Sequence, residues 1–175
     1  MSRRRTAAVV VVALLAGGCS SAPPAKPTYE LPPRPVRENE TPLKLPPATN
    51  GSTVFTLIGL TTGFSNITGS HAEWQAKGQY ARFRVVVTST GLSSVPFDTK
   101  RQLLVEDNGA TVGPDEQAML IKRQPGTFDL GPNVRVEFDL YFDIPKDRKA
   151  VALRAVGGPT LTDMKNLQGT EISLG

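Results

Sequence analysis

The stretch Gln79-Tyr80-Ala81-Arg82-Phe83-Arg84-Val85-Val86-Val87-Thr88-Ser89-Thr90-Gly91 decides the fold class. Ala81, Phe83, Val85 and Val87 fall on one side of a two-residue repeat, and Tyr80, Arg82, Arg84, Thr88 and Thr90 fall on the other. Successive side chains of a strand leave opposite faces, so this alternation predicts an antiparallel strand with one face on a core and one in water. Residues 134–144 repeat the pattern, with Val134, Val136, Phe138, Leu140, Phe142 and Ile144 alternating with Arg135, Glu137, Asp139, Tyr141 and Asp143. If the two strands are neighbours, Arg82 and Arg84 should face Glu137 and Asp139 as exposed pairs that fix register.

Working outward, weaker runs of strand character lie at residues 53–60, 101–106, 149–156 and 170–174. Asp107-Asn108-Gly109 reads as a hairpin turn, Pro125-Gly126 and Gly131-Pro132-Asn133 as breaks, and Pro145-Lys146-Asp147 as the end of a strand. No long segment keeps a helical period, and only a short helical turn is expected near residues 115–119. Short strands separated by frequent turn signals across residues 50–175 predict an all-β, antiparallel β-sandwich.

The N-terminal part has a different character. Arg3, Arg4 and Arg5 precede an apolar run from Ala7 to Ala16, and Gly17 and Gly18 lead into Cys19. That is the order of a targeting segment, and about 12 residues of helix at ~1.5 Å each fall well short of a ~30 Å hydrocarbon core. Leu15-Ala16-Gly17-Gly18-Cys19 resembles the lipobox of bacterial lipoproteins, with Ala16 standing where leucine is commonest. The resemblance implies cleavage between Gly18 and Cys19 and a diacylglyceryl group on the Cys19 thiol. Nine of the fifteen prolines then fall within residues 20–49, which predicts an extended, semi-rigid spacer. The expected organisation is a signal peptide over residues 1–18, a lipidated cysteine and linker over 19–49, and the sandwich over 50–175.

Composition removes several classes of function. Without Arg3, Arg4 and Arg5, the twenty basic residues become seventeen against sixteen acidic ones, so no basic stripe suits a nucleic-acid backbone. One cysteine excludes a disulfide framework, and one histidine leaves no transition-metal spacing. Glu106, Asp107, Asp115 and Glu116 match no calcium loop and read as a solvated turn. Ser65, Ser70, His71, Glu73 and Asp98 supply hydrolase residue types without a Gly-x-Ser-x-Gly elbow, so no catalytic residue, cofactor or metal is expected. His71 reads as a surface-loop histidine.

A second resemblance covers residues 50–175. The long strand quoted first, followed by Val95-Pro96-Phe97-Asp98, Leu103-Leu104-Val105-Glu106-Asp107-Asn108-Gly109 and the strand that closes on Ile144-Pro145-Lys146-Asp147, resembles the DUF4352 family of extracytoplasmic immunoglobulin-like domains. That family is similar to the secreted mycobacterial antigens of the MPT63 type. The resemblance implies an immunoglobulin-like sandwich with no shared catalytic residues.

Residues 64–77 carry Phe64, Ile67, His71 and Trp74 among Gly63, Asn66, Gly69 and Ser70, an aromatic-bearing loop suited to recognition. Trp74 alternatively caps the core. The expected protein is a monomeric envelope lipoprotein, held to the membrane by its lipid. Its domain binds or presents an envelope protein, glycan or lipid without catalysis. The alternative is a small-molecule or lipid carrier with an apolar cavity between the sheets.

Overall fold

The computed structural model describes residues 34–158 and 168–175. Cys19, Gly18 and the signal segment lie outside the described residues, as does the spacer up to residue 33. The described residues form eleven strands: β1 (Thr41–Pro42), β2 (Ala48–Asn50), β3 (Thr53–Thr68), β4 (Glu73–Ser89), β5 (Val95–Asp98), β6 (Leu103–Glu106), β7 (Thr111–Val112), β8 (Thr127–Leu130), β9 (Arg135–Ile144), β10 (Ala150–Ala155) and β11 (Thr170–Ser173). A single 3-10 turn (Thr99–Arg101) follows β5, and the α-helix α1 (Glu116–Ile121) follows β7.

All pairings are antiparallel. β1, β3, β4 and β9 run side by side with β2 also on β3; β11, β10, β6 and β7 form a second sheet; β5 and β8 form a two-stranded piece. The sheets share one core, so the chain is an all-β antiparallel sandwich. Phe55 and Phe97 are 5.9 Å apart, Phe97 and Phe138 5.9 Å, and Phe97 and Phe128 5.2 Å, a chain of rings that ties the sheets together.

The two deciding strands are neighbours, as the alternation requires. Ala81 lies opposite Phe142, Phe83 opposite Leu140 and Val85 opposite Phe138, and all six are buried. β4 is longer than expected and sits between β3 and β9. β3 likewise continues past residue 60, to Thr68, with irregular register near Gly59, Gly63 and Ser65 that bends the long hairpin.

The opposite face of β4 departs from expectation. Arg84 is 6% exposed and Asp139 6% exposed, so this face is covered rather than wet. The cover is the segment from Pro35 to Pro42, which belongs to the compact unit Pro35–Gly175 and not to the spacer. Glu40 turns back on Arg37 (N to O, 3.1 Å), Asn39 takes a left-handed φ of 58°, and β1 pairs Thr41 with Leu60 and Pro42 with Gly59. The folded domain therefore starts near residue 35, not 50. Proline content hid this boundary because proline forbids interior strand positions but tolerates an edge.

The strap is fastened by charge. Arg84 donates from Nη1 to Glu40 Oε1 (3.1 Å) and to the Pro35 carbonyl (3.0 Å), and from Nε to Glu137 Oε1 (2.7 Å). Arg37 donates to Asp139 Oδ2 at 2.6 Å, and Arg82 donates to Thr61 Oγ1 at 2.8 Å with Glu40 Oε2 3.7 Å away. Three guanidinium groups thus meet three carboxylates. The anticipated pairing holds for Arg84 with Glu137; Asp139 instead takes Arg37 of the strap.

Gly59 makes the space. A Cβ there would collide with the Glu40 carboxyl group. Gly59→Ala should cost about 1–3 kcal/mol of stability by overpacking this point. In a Glu40→Ala background most of that cost should vanish, and denaturant unfolding of the four chains of the cycle measures the coupling.

Candidate functional site

The segment holding Phe64, Ile67, His71 and Trp74 is not a loop. It is the far end of the β3–β4 hairpin, with Ile67 opposite Trp74 and Thr68 opposite Glu73, closed by a turn in which Gly69 N donates to Ala72 O at 2.8 Å. The Gly- and Ser-rich composition signals only that four-residue turn. Ile67 is fully buried, and Phe64 packs its ring 5.6 Å from that of Tyr80. His71 and Trp74 remain at the surface, Trp74 at 42% exposure, so the four residues divide between core and surface.

α1 stands against this hairpin end. Asp115 caps it, its side chain accepting from Ala118 N at 2.8 Å, while its own N–H donates to Tyr141 O at 2.8 Å. Beyond the helix, Gln124 Oε1 accepts from Asp139 N at 2.7 Å. These two contacts satisfy the outer edge of β9 and fix the helix to it. Ala118 and Met119 turn inward; Leu120 is left 71% exposed. Glu106 and Asp107 sit at the β6–β7 turn with Glu106 buried, apart from the Asp115 cap, so the four carboxylates are not one solvated turn. Among the described residues no group of three or more His, Cys, Asp or Glu could hold a metal ion.

The helix ends sharply. Gln124 N donates to Met119 O (2.8 Å) and Arg123 N to Leu120 O (3.0 Å), the two bonds of a Schellman end, with Arg123 at φ 51° where glycine is usual. That turn brings Arg123 to the hairpin: Arg123 Nη2 lies 3.4 Å from Ser70 Oγ, and Lys122 Nζ donates to Thr68 O at 2.7 Å. Gly69 permits the approach, since a Cβ there would meet Ile121 Cγ2 at 2.7 Å.

Two grooves flank the helix and share Gln117 and Leu120. One, of about 350 Å³, lies between α1 and the hairpin end and includes His71, Glu73, Trp74 and Arg123. The other, of about 320 Å³, faces the turn at Thr99 and Lys100 and the Pro125-Gly126 segment. Their polar groups differ in availability. In the second, Lys100 Nζ holds Glu116 at 2.6 Å, the Thr99 hydroxyl donates to the Pro125 carbonyl, and Gln124 bonds at both ends of its amide. In the first, the side chains of His71, Glu73, Trp74 and Gln117 make no hydrogen bond or ion pair among the described residues. Ser70, His71 and Glu73 come together there, yet no hydrogen bond joins His71 to either, as a nucleophile and base would require. Sequence reasoning found the hairpin half of this groove and missed the helix half, Gln117, Leu120 and Arg123.

The support under α1 titrates. Burial, and then the carboxylates of Asp115 and Asp143, hold the Tyr80 hydroxyl well above the ordinary phenol range; burial and Asp139 raise that of Tyr141. Above pH ~10 an unfolded phenol loses its proton while these keep theirs, so the native state binds more protons and stability falls as pH rises. Alkaline absorbance titration should show these two of the chain's three tyrosines ionising only as the domain unfolds.

No family model and no curated protein matches the chain. Among solved structures, it is similar to the yjhA protein from Bacillus subtilis, with 15% identity and a TM-score of 0.55 over 74% of this chain and 96% of that one. It is also similar to a conserved hypothetical protein from Bacillus anthracis, with 10% identity and a TM-score of 0.49 over 66% and 89% of the two chains. The first likeness supports the sandwich fold alone.

Proposed function

We propose that this protein is a lipid-anchored, extracytoplasmic binding module. Cys19 carries the anchor, and the groove between α1 and the β3–β4 hairpin takes the ligand. One observation carries the binding reading: a half-exposed tryptophan and an exposed leucine border a groove in which the side chains of His71, Glu73 and Gln117 have no hydrogen-bond or ion-pair partner among the described residues. Exposed large apolar side chains gathered beside unpaired polar groups mark recognition surfaces. The small residues before Cys19 support the anchor, and the unlinked His71 favours binding over catalysis. A carrier with its cavity between the sheets has less support, since Phe55, Phe83, Phe97, Phe142, Leu104 and Leu153 occupy that space and are almost fully buried.

Two measurements test this. Full-length protein should sediment with membranes and Cys19→Ala should move to the soluble fraction; sedimentation of both alike would remove the anchor. Separately, Cys19→Ala protein should be retained on washed envelope fragments, and adding Trp74→Ala should reduce that retention about tenfold, as loss of a buried aromatic anchor does. Leu92→Ser, a change at a fully exposed leucine away from the groove, should leave it intact. Equal retention of all three chains would overturn the groove.

A further inference from the structure

We infer that the groove between α1 and the hairpin end binds a saccharide. The inference rests on the binding reading above and names its ligand class. The chemistry of the lining decides between an apolar chain, a peptide and a sugar.

Trp74 offers the groove one indole platform, with no second Trp, Tyr or Phe ring to enclose an aromatic or quaternary guest. Around it stand an imidazole (His71), a carboxylate (Glu73), an amide (Gln117) and a guanidinium (Arg123). The first three make no hydrogen bond or ion pair among the described residues, and Arg123 spends one long contact on Ser70. An alkyl chain laid here would strip water from these groups with nothing in exchange. Their mixture also matters. Glu73 only accepts, Arg123 only donates, and Gln117 and His71 do both.

A hydroxyl both donates and accepts, so a ring bearing several of them satisfies such a mixed set, while its C–H face lies on the indole. An extended peptide would look for a row of backbone N–H and C=O groups instead. On the groove's helical wall those groups belong to α1, and at the hairpin turn Gly69 N–H is already bonded to Ala72 O and Thr68 O to Lys122. The volume, about 350 Å³, stands at the small end of ligand sites and suits one or two sugar rings.

The only tryptophan in the chain is in this groove, so intrinsic emission reports on it alone. The test uses Cys19→Ala protein titrated with chitotriose, maltotriose and trigalacturonate, each to about 10 mM, with laurate as the apolar arm. At least one saccharide should shift the Trp74 emission saturably, with a Kd of about 0.1–1 mM, while laurate does not. By calorimetry, Gln117→Ala and Glu73→Ala should each weaken that saccharide about tenfold, since each leaves ligand hydroxyls unpaired. Trp74→Phe should keep most of the affinity and Trp74→Ala should abolish it.

A response to laurate alone, or to no saccharide, overturns the inference. Should Trp74→Ala still lose envelope retention in that case, the binding reading survives with a different ligand. Should it not, both fall.

Discussion

A guanidinium placed in the middle of a β-sheet must be neutralised where it sits. Arg84 is that group: it lies on β4, the strand between β3 and β9, with its side chain nearly closed off from water. Leaving such a charge unpaired costs about 3–5 kcal/mol. Glu137 from β9 answers part of it, and Glu40 answers the rest only if the chain ahead of β1 folds back over the sheet. The strap, its left-handed turn at Asn39 and the missing side chain at position 59 follow from that one requirement. The pairs also specify register, because a shift of β9 by one residue would present Phe138 rather than Glu137 to Arg84.

Much of this architecture is legible from residue order. Alternation in β4 and β9 identifies both strands and their adjacency, Asp107-Asn108-Gly109 marks a real hairpin with Gly109 at φ 83°, and β9 stops before Pro145. The helical turn near residue 115 is also visible, since its aspartate is a cap. The strap is invisible for a physical reason: a two-residue edge strand flanked by prolines has no periodicity, and its hold is electrostatic and over 40 residues distant in sequence. Alternation alone also cannot say whether a charged face is wet or covered, which is why Arg84 and Glu137 were expected in solvent.

The candidate site shows the same division. Trp74 and His71 stand out in sequence because aromatic and titratable side chains near glycine and serine are conspicuous. Gln117, Leu120 and Arg123 do not, because nothing local marks α1 as the wall of a groove. Only the edge of β9, which needs a cap for its Tyr141 carbonyl and Asp139 amide, explains why the helix is held there. Both walls are thereby set before any ligand arrives: hairpin bonds hold one, and the Asp115 and Gln124 contacts hold the other. A ligand of the proposed groove would meet a backbone already held in place, with little entropy lost in ordering it.

The chain enters the folded unit at Pro35, beside the strap's charged contacts and far in sequence from the buried rings. If Cys19 carries the proposed anchor, tension on the chain would be met first by the grip of Arg84 on the Pro35 carbonyl and of Arg37 on Asp139. Both are short-range contacts that give way over small extensions, whereas the β3–β4 ladder lies downstream of them. In a chain anchored at Cys19, as proposed, pull would open the strap first: it would add several residues of reach at the cost of uncovering Arg84.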